Sequence, residues 1–77
     1  MFDREIFSQR LKQLRIDKKL SMQQLTVAIG LKSKASIGQF ETCRNIPSAE
    51  GLVALADYFQ VSLDYLVGRS DNPDIKK

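Results

Sequence analysis

The stretch from Ser21 to Glu41, SMQQLTVAIGLKSKASIGQFE, constrains this chain more than any other. It reads as two short amphipathic helices joined by a turn at Gly30. The first opens on a Ser21-x-x-Gln24 capping box, in which a hydroxyl and an amide satisfy backbone N–H groups that a helix start leaves without partners. Met22, Leu25, Ala28 and Ile29 then recur at helical spacing. Gly30 stands where a helix end needs a residue that tolerates a left-handed backbone. After a few polar residues, Ile37 and Phe40 sit three apart on the face of a second helix.

The flanking segments supply the rest of a helical domain. Asp3 is the expected N-cap of a first helix that ends near Lys19, with Phe7, Leu11 and Leu14 at i, i+4, i+7 and Ile6 beside the stripe. Arg10, Lys12, Arg15, Lys18 and Lys19 cover its other faces, and the cations near its end suit the helix dipole. The third helix starts around Ser33 or Lys34, with Ser33 as N-cap, and stops before Pro47, which pushes Ile46 out of helical geometry. Ser48 caps a fourth helix, with Glu50 in its first turn and Leu52, Leu55, Ala56 and Phe59 as its apolar stripe. Ser62 caps a short fifth helix in which Leu63, Leu66 and Val67 pack inward, and Gly68 ends it. No strand-like alternation and no internal repeat occurs. The reading is all-α: a compact five-helix domain over residues 1–68, followed by a polar tail, 69–77, expected to be frayed.

Composition narrows the chemistry. With 77 residues and 43% hydrophobic side chains, the chain fits one small globule whose single core is only marginally stabilising. It has no histidine, which removes the commonest general base, and its one cysteine, Cys43, cannot close a disulfide or build a zinc cluster. There is no glycine-rich phosphate loop and no close carboxylate pair. An enzyme is therefore not expected, nor a metal or other cofactor. No apolar run is long enough to span a bilayer, and the charged N-terminus lacks a signal-peptide core. A soluble cytoplasmic protein with no membrane partner is the expectation.

The net charge of +3 is unevenly spread. Residues 1–46 hold nine basic and four acidic side chains, whereas residues 47–68 hold three acidic and none basic. A basic half and an acidic half suit a domain that places one face on a polyanion and turns the other away. A helix-turn-helix would lay its second helix in the major groove of DNA.

The order of helices, the Gln23/Gln24-Leu25 opening, Gly30, the Ile37-x-x-Phe40-Glu41 string and the ending Val61-Ser62-Leu63-Asp64-Tyr65-Leu66 together resemble the lambda-repressor-like helix-turn-helix domain. This is the Xre type seen in phage repressors and bacterial regulators, and the resemblance covers roughly residues 5–68. It implies an all-α domain that binds operator DNA, usually as a symmetric dimer, and regulates transcription. Two departures stand out. Thr26 occupies a position, four before the turn glycine, where the family most often has alanine. The spacing from Gly30 to Ile37 is one residue longer than the family's common spacing. Strict alignment would bury Ser36, which its hydroxyl resists. A turn Leu31-Lys32-Ser33-Lys34 with one extra residue keeps Ile37 inward instead.

In that register the resemblance assigns base readout to Lys34, Ala35 and Gln39, with Gln39 about 200° around the helix from Ile37. Lys34 suits guanine O6 or N7, Gln39 suits the N6/N7 edge of adenine, and Ala35 suits a thymine methyl. Gly38 offers no group, so the set of readers is thin and DNA shape is expected to contribute. For phosphate, the starts of the second and third helices offer free N–H groups, with Ser21, Gln23 and Gln24 at one and Ser33 and Ser36 at the other. Ser21 can equally be a cap alone. Arg44 and Asn45 match a family position that grips the backbone, and Lys32 is a further candidate. Arg15 and Glu41 match an arginine and a glutamate that pair in several family members, and an ion pair bracing the recognition helix is expected.

Tyr58 and Tyr65 fall outside the main stripes and have two readings: a homodimer interface through the fifth helix, or partly exposed core residues. Cys43 is read as a small helix-end residue, with a redox switch as the alternative. The leading functional expectation is a repressor that binds a palindromic operator as a dimer on double-stranded DNA, with a regulatory protein partner as one source of control. A protein-interaction adapter on the same scaffold is the alternative, favoured by the sparse side chains of Ala35 and Gly38 and by the irregular turn; a DNA-binding antitoxin is the other, and it would need a toxin-binding tail, for which residues 69–77 are short and polar.

Overall fold

The structure, a computed structural model, describes residues 3–31 and 34–74. Five helices follow one another: α1 (Arg4–Asp17), α2 (Met22–Ala28), α3 (Lys34–Glu41), α4 (Ala49–Phe59) and α5 (Leu63–Leu66). No strand occurs among the described residues, and no described helix is long and apolar enough to cross a membrane. Each capping side chain read from the sequence within this range accepts a backbone N–H of its own first turn. Asp3 accepts from Ile6, Ser21 from Gln24, Ser48 from Gly51 and Ser62 from Tyr65, at 3.0–3.2 Å. Such caps each contribute on the order of 1 kcal/mol, which matters for helices too short to form alone.

Helix α1 lies at the centre, packed against α3 on one side and α5 on the other, while α2 packs on α3 and α4 on α5. Phe7, Leu11, Leu25, Ile37, Leu55 and Leu66 are fully buried where these helices meet. Burying each such side chain stabilises by roughly 1.5–3 kcal/mol. Ile37 inward and Ser36 only half-buried is the register of the longer turn. Gly68 (φ +87°) joins the two ends of the domain: a Cβ there would lie 3.0 Å from Asp3 and 3.2 Å from Ile6, and the Asp3 N–H donates to Val67 O at 3.0 Å.

The structure departs from the sequence reading in three places. In α2, Met22 and Ala28 are exposed, and Thr26 is buried beside Leu25. Its hydroxyl donates to Met22 O at 2.7 Å, so the burial leaves no polar atom unsatisfied. Leu63, expected inside, is 40% exposed, because α5 is a single turn whose inner face is filled by Leu66. Helix α3 stops before Pro47 as expected; its last residue is Glu41, and Thr42 and Cys43 carry the turn. Residues 69–74 do not hang free. The Ser62 N–H donates to Pro73 O at 2.8 Å, and Arg10 donates to Ser70 O at 2.8 Å and to Asp71 Oδ1 at 3.0 Å. An aperiodic polar segment carries no local signal for such a strap, since its partners are 10 to 61 residues away.

All five helices end the same way. The amide of a residue just past the helix reaches back over a full turn: Leu20 to Arg15 O, Leu31 to Thr26 O, Arg44 to Gln39 O, Val61 to Ala56 O and Arg69 to Asp64 O, at 2.8–3.1 Å. Each closure needs a left-handed residue just before that amide. Gly30 and Gly68 supply it without strain, whereas Lys19, Cys43 and Gln60 adopt φ of 57°, 63° and 56° with a Cβ in place. Gln60 is exposed, and its side chain bonds to none of the described residues. Gln60→Gly is expected to stabilise the domain by about 0.5–1 kcal/mol, relief of strain exceeding glycine's greater unfolded-state entropy. Urea unfolding of the two proteins measures the difference.

Candidate nucleic-acid interface

The α2–α3 unit is fixed from both ends. At its start the capping box is complete: Ser21 Oγ accepts from the Gln24 N–H at 3.0 Å, and the Ser21 N–H donates to Gln24 Oε1 at 2.8 Å. This uses the acceptor of each side chain, so the Ser21 O–H and the Gln24 NH2 keep their donor capacity for an anion. At the end of α2, Gly30 (φ +77°) permits the Leu31 N–H to reach Thr26 O, which turns the chain sharply toward α3. Leu25 and Thr26 face inward, as do Ile37 and Phe40 of α3.

Two side chains of α1 hold the far end of α3. Arg15 and Glu41 form a bidentate pair, Nε to Oε2 at 2.6 Å and Nη2 to Oε1 at 3.1 Å. The pair is almost dry, with the two side chains 13% and 2% exposed. Hydrogen bonding to Glu41 raises the Arg15 pKa above its ordinary value, and the Coulombic attraction of the carboxylate adds to it against the opposing effect of burial. A third donor, Arg15 Nη1, bonds Leu20 O at 2.8 Å, so one guanidinium links α1, the turn into α2, and α3. Ser8, which the sequence reading overlooked, donates from its buried hydroxyl to Phe40 O at 2.7 Å. Its oxygen also lies 3.0 Å from Cys43 Sγ, so the thiol belongs to the closure of α3.

On the opposite side, Ser21, Gln23, Gln24, Gln39, Arg44 and Asn45 are all exposed. Gly38, Gln39, Thr42 and Arg44 line a shallow depression at the end of α3. Thr42 is an addition to the set read from the sequence, and its place three residues after Gln39 was the available signal. Its hydroxyl donates to Gly38 O at 2.8 Å, which leaves it an acceptor toward that depression. Asn45 Oδ1 accepts from the Ile46 N–H at 2.9 Å, so its NH2 faces outward as a donor. Ser36 is half-buried. Lys32 and Ser33 lie outside the described residues; Lys34 and Ala35 form the first turn of α3, with their side chains outside the described part.

Tyr58 and Tyr65 both pack against the core within the chain. The Tyr65 ring lies under the Arg10 guanidinium, 4.0 Å from ring centroid to carbon, and Arg10 also donates to Tyr65 O. Tyr58 stands edge-on to Phe59 at 5.2 Å, with Lys18 Nζ 5.7 Å above its ring.

The sequence matches the family model described as helix-turn-helix over residues 11–66. It is 44% identical over 71 residues to YobD of Bacillus subtilis (strain 168), an uncharacterised HTH-type transcriptional regulator. The match covers 92% of this chain and 62% of that protein, so the chain spans less than two thirds of its relative's length. The fold is similar to the restriction-modification controller protein C.AhdI from Aeromonas hydrophila. That superposition has a TM-score of 0.71 and 29% identity, over 80% of this chain and 92% of that one. A solution structure of LexA from Eubacterium rectale, 23% identical, superposes over the whole chain and 82% of its own with a TM-score of 0.78, a likeness of fold.

Removal of one partner from the Arg15–Glu41 pair strands a charge at a nearly dry site. Glu41→Ala is expected to lose about 3 kcal/mol in urea unfolding, whereas the double change Arg15→Met with Glu41→Leu should lie within about 1 kcal/mol of the parent.

Proposed function

The chain belongs to the helix-turn-helix family of lambda-repressor-like, Xre type, and from that membership we propose that it regulates transcription by binding double-stranded DNA with α3 in the major groove. The observation that carries the reading is the division of the α2–α3 unit into two faces. Leu25, Thr26, Ile37 and Phe40 are committed to the core and Glu41 to Arg15, while the other side presents exposed amides and a guanidinium. Such a rigidly backed helix can hold polar groups at fixed positions against base edges.

Lys34, Ala35 and Gln39 are assigned to bases: Lys34 to guanine, Ala35 to a thymine methyl and Gln39 to adenine. Ser21, Gln23, Gln24, Lys32, Ser33, Ser36, Arg44 and Asn45 are assigned to phosphates, which set register and supply most of the affinity. Gly38 and Ala35 leave little direct readout, so sequence-dependent groove shape carries part of the specificity. The protein acts as a repressor on a palindromic operator. Two copies, related through α5 with Tyr58 and Tyr65 at the contact, place their α3 helices about 34 Å apart, one turn of DNA. The name of the YobD relative, an HTH-type transcriptional regulator, supports regulation, and that of C.AhdI, a controller protein, is in keeping with it.

Selection of the purified protein on random duplex DNA at moderate salt tests this. The expected result is a palindrome with half-sites about one helical turn apart. Recovery of unselected DNA that is lost as salt rises would reduce the reading to backbone attraction and favour the adapter alternative. On the selected site, Gln39→Ala should cost about 1–3 kcal/mol and relax preference at one base position. Arg44→Ala should weaken all sequences alike and lower the salt slope by about one. Titrations at several salt concentrations separate the two effects.

A further inference from the structure

The chain has four glycines, and the fold requires three of them. Gly30 and Gly68 hold positive φ, and at Gly51 a Cβ would lie 2.9 Å from the Pro47 Cβ, closer than two side chains can stand. Gly38 has neither reason. Its backbone is that of α3, and a Cβ there would make ordinary contact with Met22 Sδ at 3.8 Å and crowd no other described atom. Glycine is the weakest helix former after proline, so in an eight-residue helix alanine would serve the fold better.

What glycine leaves is a short groove between α2 and α3, on the face that carries Gln39. Gly38 lines the depression there with Gln39 and Thr42. Its carbonyl accepts the Thr42 hydroxyl at 2.8 Å, so the bare backbone turns no unbonded oxygen toward the gap. Met22 stands at the edge, 37% exposed, the apolar exception in a helix start otherwise made of Ser21, Gln23 and Gln24. Its thioether is flexible and polarisable, suited to close against a small group. In the major groove of DNA, the base edges offer one such apolar group, the methyl on C5 of a pyrimidine.

We propose that Met22 and Gly38 together seat the 5-methyl group of a pyrimidine, with thymine as its ordinary source, beside the edge assigned to Gln39. The inference rests on the proposed DNA binding by α3 and adds a specificity contact to it. Glycine admits the ring edge close to the helix backbone, and the Met22 sulfur covers the methyl from the side of α2. A side chain at 38 would hold the ring away. Burial of one methyl group corresponds to a preference of about fourfold.

The test uses the 77-residue chain and the duplex it selects from random DNA, with each thymine replaced singly by deoxyuridine, which removes only the methyl. Competition titrations at fixed salt are expected to show a thymine in each half-site whose replacement weakens the parent about fourfold. At that position Gly38→Ala and Met22→Ala should lose affinity for the thymine duplex and not for the deoxyuridine one. Gly38→Ala should also melt at or above the parent temperature, which separates a lost contact from a damaged fold. With a C·G pair at the same position, methylation of cytosine at C5 should strengthen parent binding about fourfold, as expected if the methyl rather than thymine O4 is read. The inference is overturned if no deoxyuridine penalty disappears in both variants, or if 5-methylcytosine binds no better than cytosine. It is also overturned if the variants weaken thymine and deoxyuridine duplexes alike, as loss of a sugar contact would. Any of these results on a selected site leaves DNA binding standing without the seat, whereas failure to select any duplex removes both.

Discussion

The structure depends first on the Arg15 guanidinium. Its planar fork satisfies both oxygens of Glu41 and still has a donor for Leu20 O. A carboxylate only 2% exposed is tolerable because every part of this geometry is met at once. The consequence is mechanical. The last residue of α3, the last turn of α1 and the residue before the α2 cap are held by one side chain, so α3 cannot tilt without breaking an ion pair. A lysine, a point charge on a flexible stem, could not fix the three together.

Around that lock, the domain economises on helix length. Helices of 4 to 14 residues are too short to persist in water alone, and only the sum of many small contributions makes them stable together. Capping side chains close the starts, left-handed residues close the ends, and α1 joins α3 to α5. Ser8 and Arg10 extend the same logic. Each reaches from α1 to a backbone carbonyl distant in sequence, Ser8 to the end of α3 and Arg10 to the strap after α5. Helix α1 therefore braces both α3 and the segment that follows α5.

The two surfaces differ in charge as well as location. Among the described residues, exposed amides of α2 and α3 and the Arg44 guanidinium belong to one surface, and the carboxylates of Asp57, Asp64 and Asp74 belong to α4, α5 and the strap. A chain that sorts its charges along its length and then folds those lengths onto separate sides acquires two fields of opposite sign. On the proposed reading, a polyanion would be drawn to one and kept from the other.

Local pattern was legible because it depends on neighbours three or four residues apart. Asp3, Ser21, Ser48 and Ser62 as caps, the Phe7–Leu11 and Leu55–Phe59 stripes, Gly30 and Gly68 as stops, and Ile37 rather than Ser36 as the core residue all follow from spacing. The Arg15–Glu41 pairing came from the family resemblance, since nothing local joins residues 26 apart. Other features had no local signature. Thr26 is inside and Met22 outside because α2 meets α3 at an angle that propensity does not encode. Leu63 is left in water because one turn of helix has room for one inward leucine. Lys19, Cys43 and Gln60 take left-handed backbones because the closing hydrogen bonds and packing outweigh the strain. Sequence by itself determined where helices start and stop and which stripes can be buried, because those are properties of a single turn. Tertiary structure alone decided which side chains share a lock, a strap or a groove, because such contacts join residues the chain keeps far apart.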